Sequence, residues 1–405
     1  MVDLKIYAED VEQSALEQIE RSVQSPAFEG ATVRIMPDVH AGKGSVIGFT
    51  AHITNGRVIP NVVGVDIGCG MLVAELNQTD VDLVKLDRFV RGEIPSGMRV
   101  YETALPVGTD MFFERYRCHK YLTSKERLAR SVGTLGSGNH FIELDRSDDG
   151  RTWLIIHSGS RNLGHQVAEY YQELAVRKTG SKAARSAHRN AIIEKLRAQG
   201  REREIEAELK KVLHPLKDND DLAYLEGEDA QDYLHDMNLC VQFAKTNREQ
   251  MAERIVQEMG LTRCEPEWMH VIHNYIELLD DGSFVVRKGA ISAKKDELVL
   301  VPLNMQAGCV IGKGRGTADW NLSAPHGAGR RCSRKAAFKS FSMDEFKERM
   351  QGIYSTSVCP DTLDESPMAY KDPSYIMEHI GETIEEAEII HPIYNFKAKE
   401  SRRRG

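Results

Sequence analysis

Short apolar runs broken by glycine and asparagine dominate the first part of the chain. Residues 32–36, 45–53, 71–76 and 153–156 gather apolar and β-branched side chains between turn formers. That pattern predicts strands. Between residues 162 and 260 the period changes. Residues 183–213 are rich in Ala, Glu, Lys and Arg, and residues 228–259 place Tyr233, Met237, Val241 and Ala244 on one stripe. Both read as helices, the stripe as core rather than a cofactor box. Strand-like runs return at 269–276, 283–287 and 297–301, with helical segments expected at 342–351 and 380–389. Glycine-rich and polar clusters flank the helical zone, but no Pro/Ser linker does. The expectation is an α+β fold: residues 1–405 as one large mixed domain, with 162–260 a helical insertion within it.

Composition narrows the class. With 41% hydrophobic and 28% charged residues, the chain reads as a globular protein with enough apolar material for a core. No apolar run reaches the roughly 18–20 residues that span a bilayer, and the N-terminus shows no signal-peptide apolar region. Seven cysteines, an odd count with no Cys-x-x-Cys pair, argue against a disulfide framework or a zinc finger. The cytoplasm is the expected compartment. The formal charge of −8 does not advertise nucleic-acid binding. Two basic clusters remain: Arg330, Arg331, Arg334, Lys335 and Lys339, and the terminal Arg402, Arg403 and Arg404. A solvated face is the plain reading of each, and a tail is the better one for the second.

The hexapeptide Pro325-His326-Gly327-Ala328-Gly329-Arg330 carries the first chemistry. Its glycines let backbone approach a bound group. Arg330 matches phosphate geometry, and His326 is a candidate nucleophile toward phosphorus. Alone, the stretch reads as a glycine-rich turn. Other segments shift the balance. Val65-Asp66-Ile67-Gly68-Cys69-Gly70 sets a carboxylate and a thiol three residues apart among glycines, a pair suited to a transition metal. His140 follows Gly138-Asn139. His157 and His273 end apolar runs. A lone histidine at a strand end is usually a hydrogen-bonded structural residue; three beside an Asp/Cys pair read as a site. One carboxylate, one thiolate and three imidazoles exceed the need of a single tetrahedral metal with an open position. They suffice for two metals sharing the thiolate.

Together these stretches resemble the RtcB family of RNA-splicing ligases. The resemblance rests on Pro37-Asp38-Val39-His40-Ala41-Gly42-Lys43-Gly44, Gly64-Val65-Asp66-Ile67-Gly68-Cys69-Gly70-Met71, Gly138-Asn139-His140-Phe141-Ile142-Glu143, His157-Ser158-Gly159-Ser160-Arg161, Arg287-Lys288-Gly289-Ala290, His326 to Arg330, and Pro367-Met368-Ala369-Tyr370-Lys371-Asp372. They occur in the family's order and span nearly the whole chain. The resemblance implies two Mn²⁺ ions bound by Asp66, Cys69, His140, His157 and His273. It implies that His326 takes GMP from GTP, and that Asn139 and Glu143 hold the nucleotide. Gly327, Ala328, Gly329 and Arg330 would hold its phosphates. The activity implied joins RNA 3′-phosphate or 2′,3′-cyclic phosphate ends to 5′-hydroxyl ends through an RNA-ppG end. The implied partner is RNA with broken ends, tRNA or rRNA, and no membrane; nothing specifies an activating or repair partner protein.

Two places depart from the family pattern. Leu303-Asn304-Met305-Gln306 stands where a Gly-Ser-Met-Gly stretch is expected, so Asn304 replaces a serine that contacts nucleotide. The usual terminal Lys-Gly is missing, and Lys397 is chosen for its lysine, with Lys399 the alternative. Asp38, His40 and Lys43 fit either a glycine-rich turn or a wall of an RNA groove. Two readings of other classes compete with the ligase. One is a metal-dependent 2′,3′-cyclic phosphodiesterase without ligation, for which Asn304 speaks. The other is a non-catalytic RNA-binding subunit, which predicts a lost ligand or nucleophile; none is lost.

Overall fold

The computed structural model describes residues 1–107, 112–180, 190, 193–199, 201–205 and 220–398. Two sheets organise them. In the five-stranded sheet the order is Asp3–Ile6, Thr32–His40, Ile47–Ile53, Phe284–Lys288 and Asn274–Leu278. Only its first pair is parallel. In the seven-stranded sheet the order is Leu298–Asn304, Gly308–Gly314, Ile384–Lys397, Phe141–Arg146, Thr152–Ser158, Gly70–Leu76 and Met269–Ile272. Every pair in it is antiparallel. Helices and antiparallel sheets thus make the expected mixed α+β architecture.

The seven-stranded sheet is buried on both faces, which explains its unbroken apolar runs. Met71 and Val73 face one core with Ile155, Val299, Val301 and Ile376. Leu72 and Ala74 face the opposite core with Leu154, Ile156, Leu86 and Ile255. A third core lies against the five-stranded sheet, joining Val33, Phe49 and Val286 to Tyr171, Tyr233 and Met237. The helical zone therefore supplies core directly. Arg161–Thr179 and the long helix Gly227–Met259 form there, and the long helix feeds two of the three cores. Tyr233, Met237 and Ala244 of the predicted stripe are fully buried. Most of the helix expected over 183–213 lies outside the described residues, as do Lys399 and Arg402 to Arg404.

One expectation is overturned. The helical segment at 380–389 is instead the start of strand Ile384–Lys397, preceded by helix Pro373–Ile380. Its glutamates and alanine favour a helix locally. The ladders to Gly308–Gly314 and Phe141–Arg146 nevertheless take its backbone groups, and Ile384 and Ile390 enter the core. Packing overrides propensity here. The run at 269–276 also splits, with His273 left between Met269–Ile272 and Asn274–Leu278. These two strands belong to different sheets, so His273 sits where the sheets meet. Among the described residues no helix is long and apolar enough to cross a membrane.

Candidate active site

Neighbouring strand ends bring the five proposed metal ligands together. Asp66 and Cys69 occupy the turn before Gly70–Leu76, closed by a bond from the Cys69 N–H to the Asp66 carbonyl at 3.2 Å. His140 immediately precedes Phe141–Arg146, and His157 lies near the end of Thr152–Ser158, opposite Met71 and Phe141. The His273 N–H donates to the Cys69 carbonyl at 2.9 Å. Cys69 Sγ is 3.4 Å from His140 Nε2 and 3.2 Å from His157 Nε2. Asp66 Oδ2 is 3.0 Å from His140 Nε2, and His157 Nε2 is 3.0 Å from His273 Nε2. One ligand atom each of Cys69, His140 and His157 lies within 4.8 Å of the other two, with Asp66 against His140 and His273 against His157.

The electrostatics favour a cation at this point. His140 Nδ1 donates to the Leu135 carbonyl and His157 Nδ1 to the Asn139 carbonyl. The second bond fixes the tautomer of His157 and leaves its Nε2 as a bare lone pair, while His140 Nε2 faces the Asp66 carboxylate. Burial, reinforced by neighbouring histidines, pushes the His157 and His273 values well down, so both rings stay neutral. Two neutral imidazoles with ring nitrogens 3.0 Å apart gain from a cation between them. Burial would raise the Asp66 carboxyl, but His140 and Arg161 outweigh it and hold it at about 2. Burial and Asp66 push the Cys69 thiol up; a coordinated divalent ion would reverse that and leave a thiolate. His273 Nδ1 is buried without a hydrogen-bond partner among the described residues. The donor set and this orphan fit a metal centre.

Beside the cluster stands His326. Its ring centre is 4.9 Å from that of His273. Nδ1 is 2.7 Å from Asp38 Oδ2, which also accepts the N–H groups of His326 at 3.1 Å and Gly327 at 3.2 Å. Asp38 is fully buried, and the His326 side chain is 16% exposed. The acid thereby holds the proton on Nδ1 and leaves Nε2 with its lone pair free. Two glycines make this packing possible. Gly289 has φ +58°, and a Cβ there would meet Ile47 and come within 3.1 Å of the imidazole; Gly329 has φ +74°, and a Cβ there would strike the Asp38 carbonyl.

A cavity of about 620 Å³ opens over His326 and the cluster, a volume suited to a nucleotide. His40, Asn139, Glu143, Asn304 and Lys397 line it. At its inner end Lys397 Nζ and Tyr370 Oη meet Glu365 Oε2 at 2.7 and 2.6 Å. Burial would raise Glu365, but Lys397, Arg334 and Arg330 hold it at about 2. The Asn304 carbonyl oxygen accepts the N–H groups of Gln306 and Ala307, each at 2.9 Å, so only its amide N–H₂ remains for a ligand. Arg330 donates to Glu365 and to the Asp364 and Cys332 carbonyls. The Ala328 N–H bonds the Pro302 carbonyl. The Lys43 carbonyl accepts from Lys288 Nζ.

Several residues here carried no role, or a different one, from the sequence. Asp38, read there as part of a glycine-rich turn or an RNA groove wall, is buried as the partner of His326. Arg248 Nη1 ties the Gly68 and Ser158 carbonyls together at 2.9 and 2.7 Å, bracing both ligand turns. It falls one turn after Ala244 on the apolar stripe, and a charge in that position was the available signal. Glu365, Asp145 and Cys309 had none.

Comparison with known proteins shows the family. The profile of the family described as tRNA-splicing ligase RtcB matches residues 18–398. The RNA-splicing ligase RtcB of Escherichia coli (strain K12) is 30% identical over 408 aligned residues, covering 93% of this chain and 92% of that protein. The tRNA-splicing ligase RtcB of Aeropyrum pernix is 27% identical over 425, covering 84% and 82%. The chain therefore belongs to the RtcB family, a family of RNA ligases.

Proposed function

We propose that the protein is a GTP- and Mn²⁺-dependent ligase that seals RNA 3′-phosphate or 2′,3′-cyclic phosphate ends to 5′-hydroxyl ends, acting on broken tRNA or rRNA in the cytoplasm. The observation that carries the reading is His326: Nδ1 anchored on Asp38 and ring set against His273 at the mouth of the cysteine-histidine cluster. His326 Nε2 attacks the α-phosphorus of GTP. A P–N bond forms as the bond to pyrophosphate breaks. The ring gains positive charge, which the Asp38 carboxylate opposes. Asp66, Cys69, His140, His157 and His273 would hold two Mn²⁺ ions, which when bound supply Lewis-acid stabilisation of the phosphates. A 2′,3′-cyclic end is first opened by water, which breaks its bond to the 2′-oxygen; an oxygen of the RNA 3′-phosphate then displaces His326 and leaves RNA-ppG. Finally the 5′-hydroxyl of the second RNA attacks the 3′-phosphorus and expels GMP. Asn139, Glu143, Asn304 and Lys397 hold the nucleotide along the cavity.

The test is intact-protein mass after incubation with GTP and Mn²⁺, beside a His326→Ala variant. One GMP added to the parent alone is the expected result. No adduct with any divalent metal would sink the nucleotidyl-transfer reading. The cyclic phosphodiesterase would then take its place; the engagement of Arg330 and of the Asn304 oxygen within the protein favours that alternative.

A further inference from the structure

Behind Glu143 lie two ligand-type side chains, Asp145 and Cys309, that the chemistry above does not use. Glu143 and Asp145 alternate along Phe141–Arg146 and so face the same core. Cys309 reaches them from Gly308–Gly314, two strands away. One donor atom from each of the three falls within 4.8 Å of the others. All are buried: Glu143 is 2% exposed, Asp145 and Cys309 0%. Glu143 lines the cavity; Asp145 and Cys309 do not. Donors are scarce. Asn395 Nδ2 donates to Glu143 Oε2, and the Cys309 thiol points at Glu143 Oε1 from 3.6 Å. Neither oxygen of Asp145 meets a donor among the described residues. The nearest ammonium, Lys397, is bonded to Glu365.

Two ionised carboxylates cannot share such a place without a positive charge. Burial and Glu143 both push the Asp145 value well up. One proton on Asp145 resolves the arrangement. Its O–H then donates to Glu143, which keeps its charge and receives donors from Asn395, Cys309 and Asp145 on its inner side.

We propose that Asp145 is a positioning residue for nucleotide recognition, a neutral acid that shares its proton with Glu143 and fixes that carboxylate as an acceptor at the cavity wall. A carboxylate held so is complementary to a base edge that presents adjacent N–H donors, as guanine does, and not to one that presents an acceptor in the same place. The inference rests on the reading of the cavity as a nucleotide site.

The experiment joins a direct view of the proton to a binding readout. Infrared difference spectra of the parent and of Asp145→Asn at neutral pH are compared in H₂O and D₂O. A protonated-carboxyl stretch, deuterium-sensitive and missing from the variant, is expected. Single-turnover GMP transfer is then followed against GTP concentration. Asp145→Asn, whose amide can donate in place of the acid, keeps the parent's KM within about twofold. Asp145→Leu, of similar size without a donor, raises KM about tenfold while the maximal rate stays near the parent's. No acid band in the parent overturns the proposal. So does an unchanged KM in Asp145→Leu. A metal equivalent bound by the parent and missing from Asp145→Asn also overturns it, because a cation would then hold the cluster. If all three chains show no GMP adduct while the acid band is present, the nucleotide reading falls and the positioning role with it; the shared proton stands.

Discussion

Replacing Asp38 by Asn tests the link between the buried acid and the nucleophile. The carboxylate accepts three N–H groups, the closest being His326 Nδ1 at 2.7 Å. Alanine would strand all three donors in the core, at a cost of about 3 kcal/mol or more, and would confuse folding with chemistry. Asparagine keeps the shape and one acceptor. It removes the negative charge that opposes the cation formed when Nε2 bonds phosphorus. A hydrogen bond to a charged partner exceeds a neutral one by about 1–2 kcal/mol. At about 2 kcal/mol, GMP transfer to His326 slows about 30-fold. Should the Asn amide turn its N–H₂ toward Nδ1, the imidazole proton would move to Nε2 and the loss would approach about 10⁴-fold, as in other Asp–His pairs. The assay is the single-turnover rate of adduct formation at saturating GTP and metal, with thermal melting to confirm the fold. KM should change little, because Asp38 does not line the cavity. A rate within twofold of the parent would refute the reasoning.

Three further perturbations probe other parts of the site. Cys69→Ala should remove more bound divalent metal per chain than Asp66→Asn or His140→Ala, since its sulfur lies within 3.4 Å of both His140 and His157; equal losses by elemental analysis after dialysis would count against a shared thiolate. Gly289→Ala forces a side chain into Ile47 and against His326 at positive φ, so about 1–3 kcal/mol of stability should go, read as a lower Tm, together with slower adduct formation. Glu365→Gln addresses acid stability. Glu365 sits at about 2 against an ordinary 4.5 because Lys397, Arg334 and Arg330 overcome its burial. A depressed carboxyl stabilises the fold above its unfolded value and loses that contribution as pH falls through its folded one. About 3 kcal/mol should therefore vanish between pH 4.5 and 2 in the parent and be missing from the variant's pH–Tm curve; parallel curves would contradict the pairing.

Strands buried on both faces were the most legible elements. Residues 71–76 and 153–156 read as apolar runs because every position but Glu75 meets a core, first one and then the other. Phe141–Arg146 escaped notice for the opposite reason: Glu143 and Asp145 occupy inward positions that a strand template reserves for apolar side chains. Residues 380–389 misled because their glutamates lie along a strand whose partners are 70 to 81 and 245 to 256 residues away in sequence. Local propensity contains no term for such pairings.

The site divides along the same physical line. Asp66, Cys69, His140, His157 and His273 were visible as candidates because each interrupts an apolar or glycine-rich run, where a polar side chain needs a reason. Their convergence was not visible, since it depends on two sheets meeting at His273. Asp38 and Glu365 show the limit more sharply. Asp38 follows an apolar run and reads as part of a glycine-rich turn or an RNA groove wall, and Glu365 lies in a polar stretch that reads as solvated. Each is in fact buried under a partner, His326 and Lys397, far along the chain. Chemistry that depends on one residue and a local turn is therefore open to sequence reasoning. Chemistry that depends on a buried charge and a distant counter-charge is not, and in this site the groups that tune the nucleophile and anchor the cavity are all of the second kind.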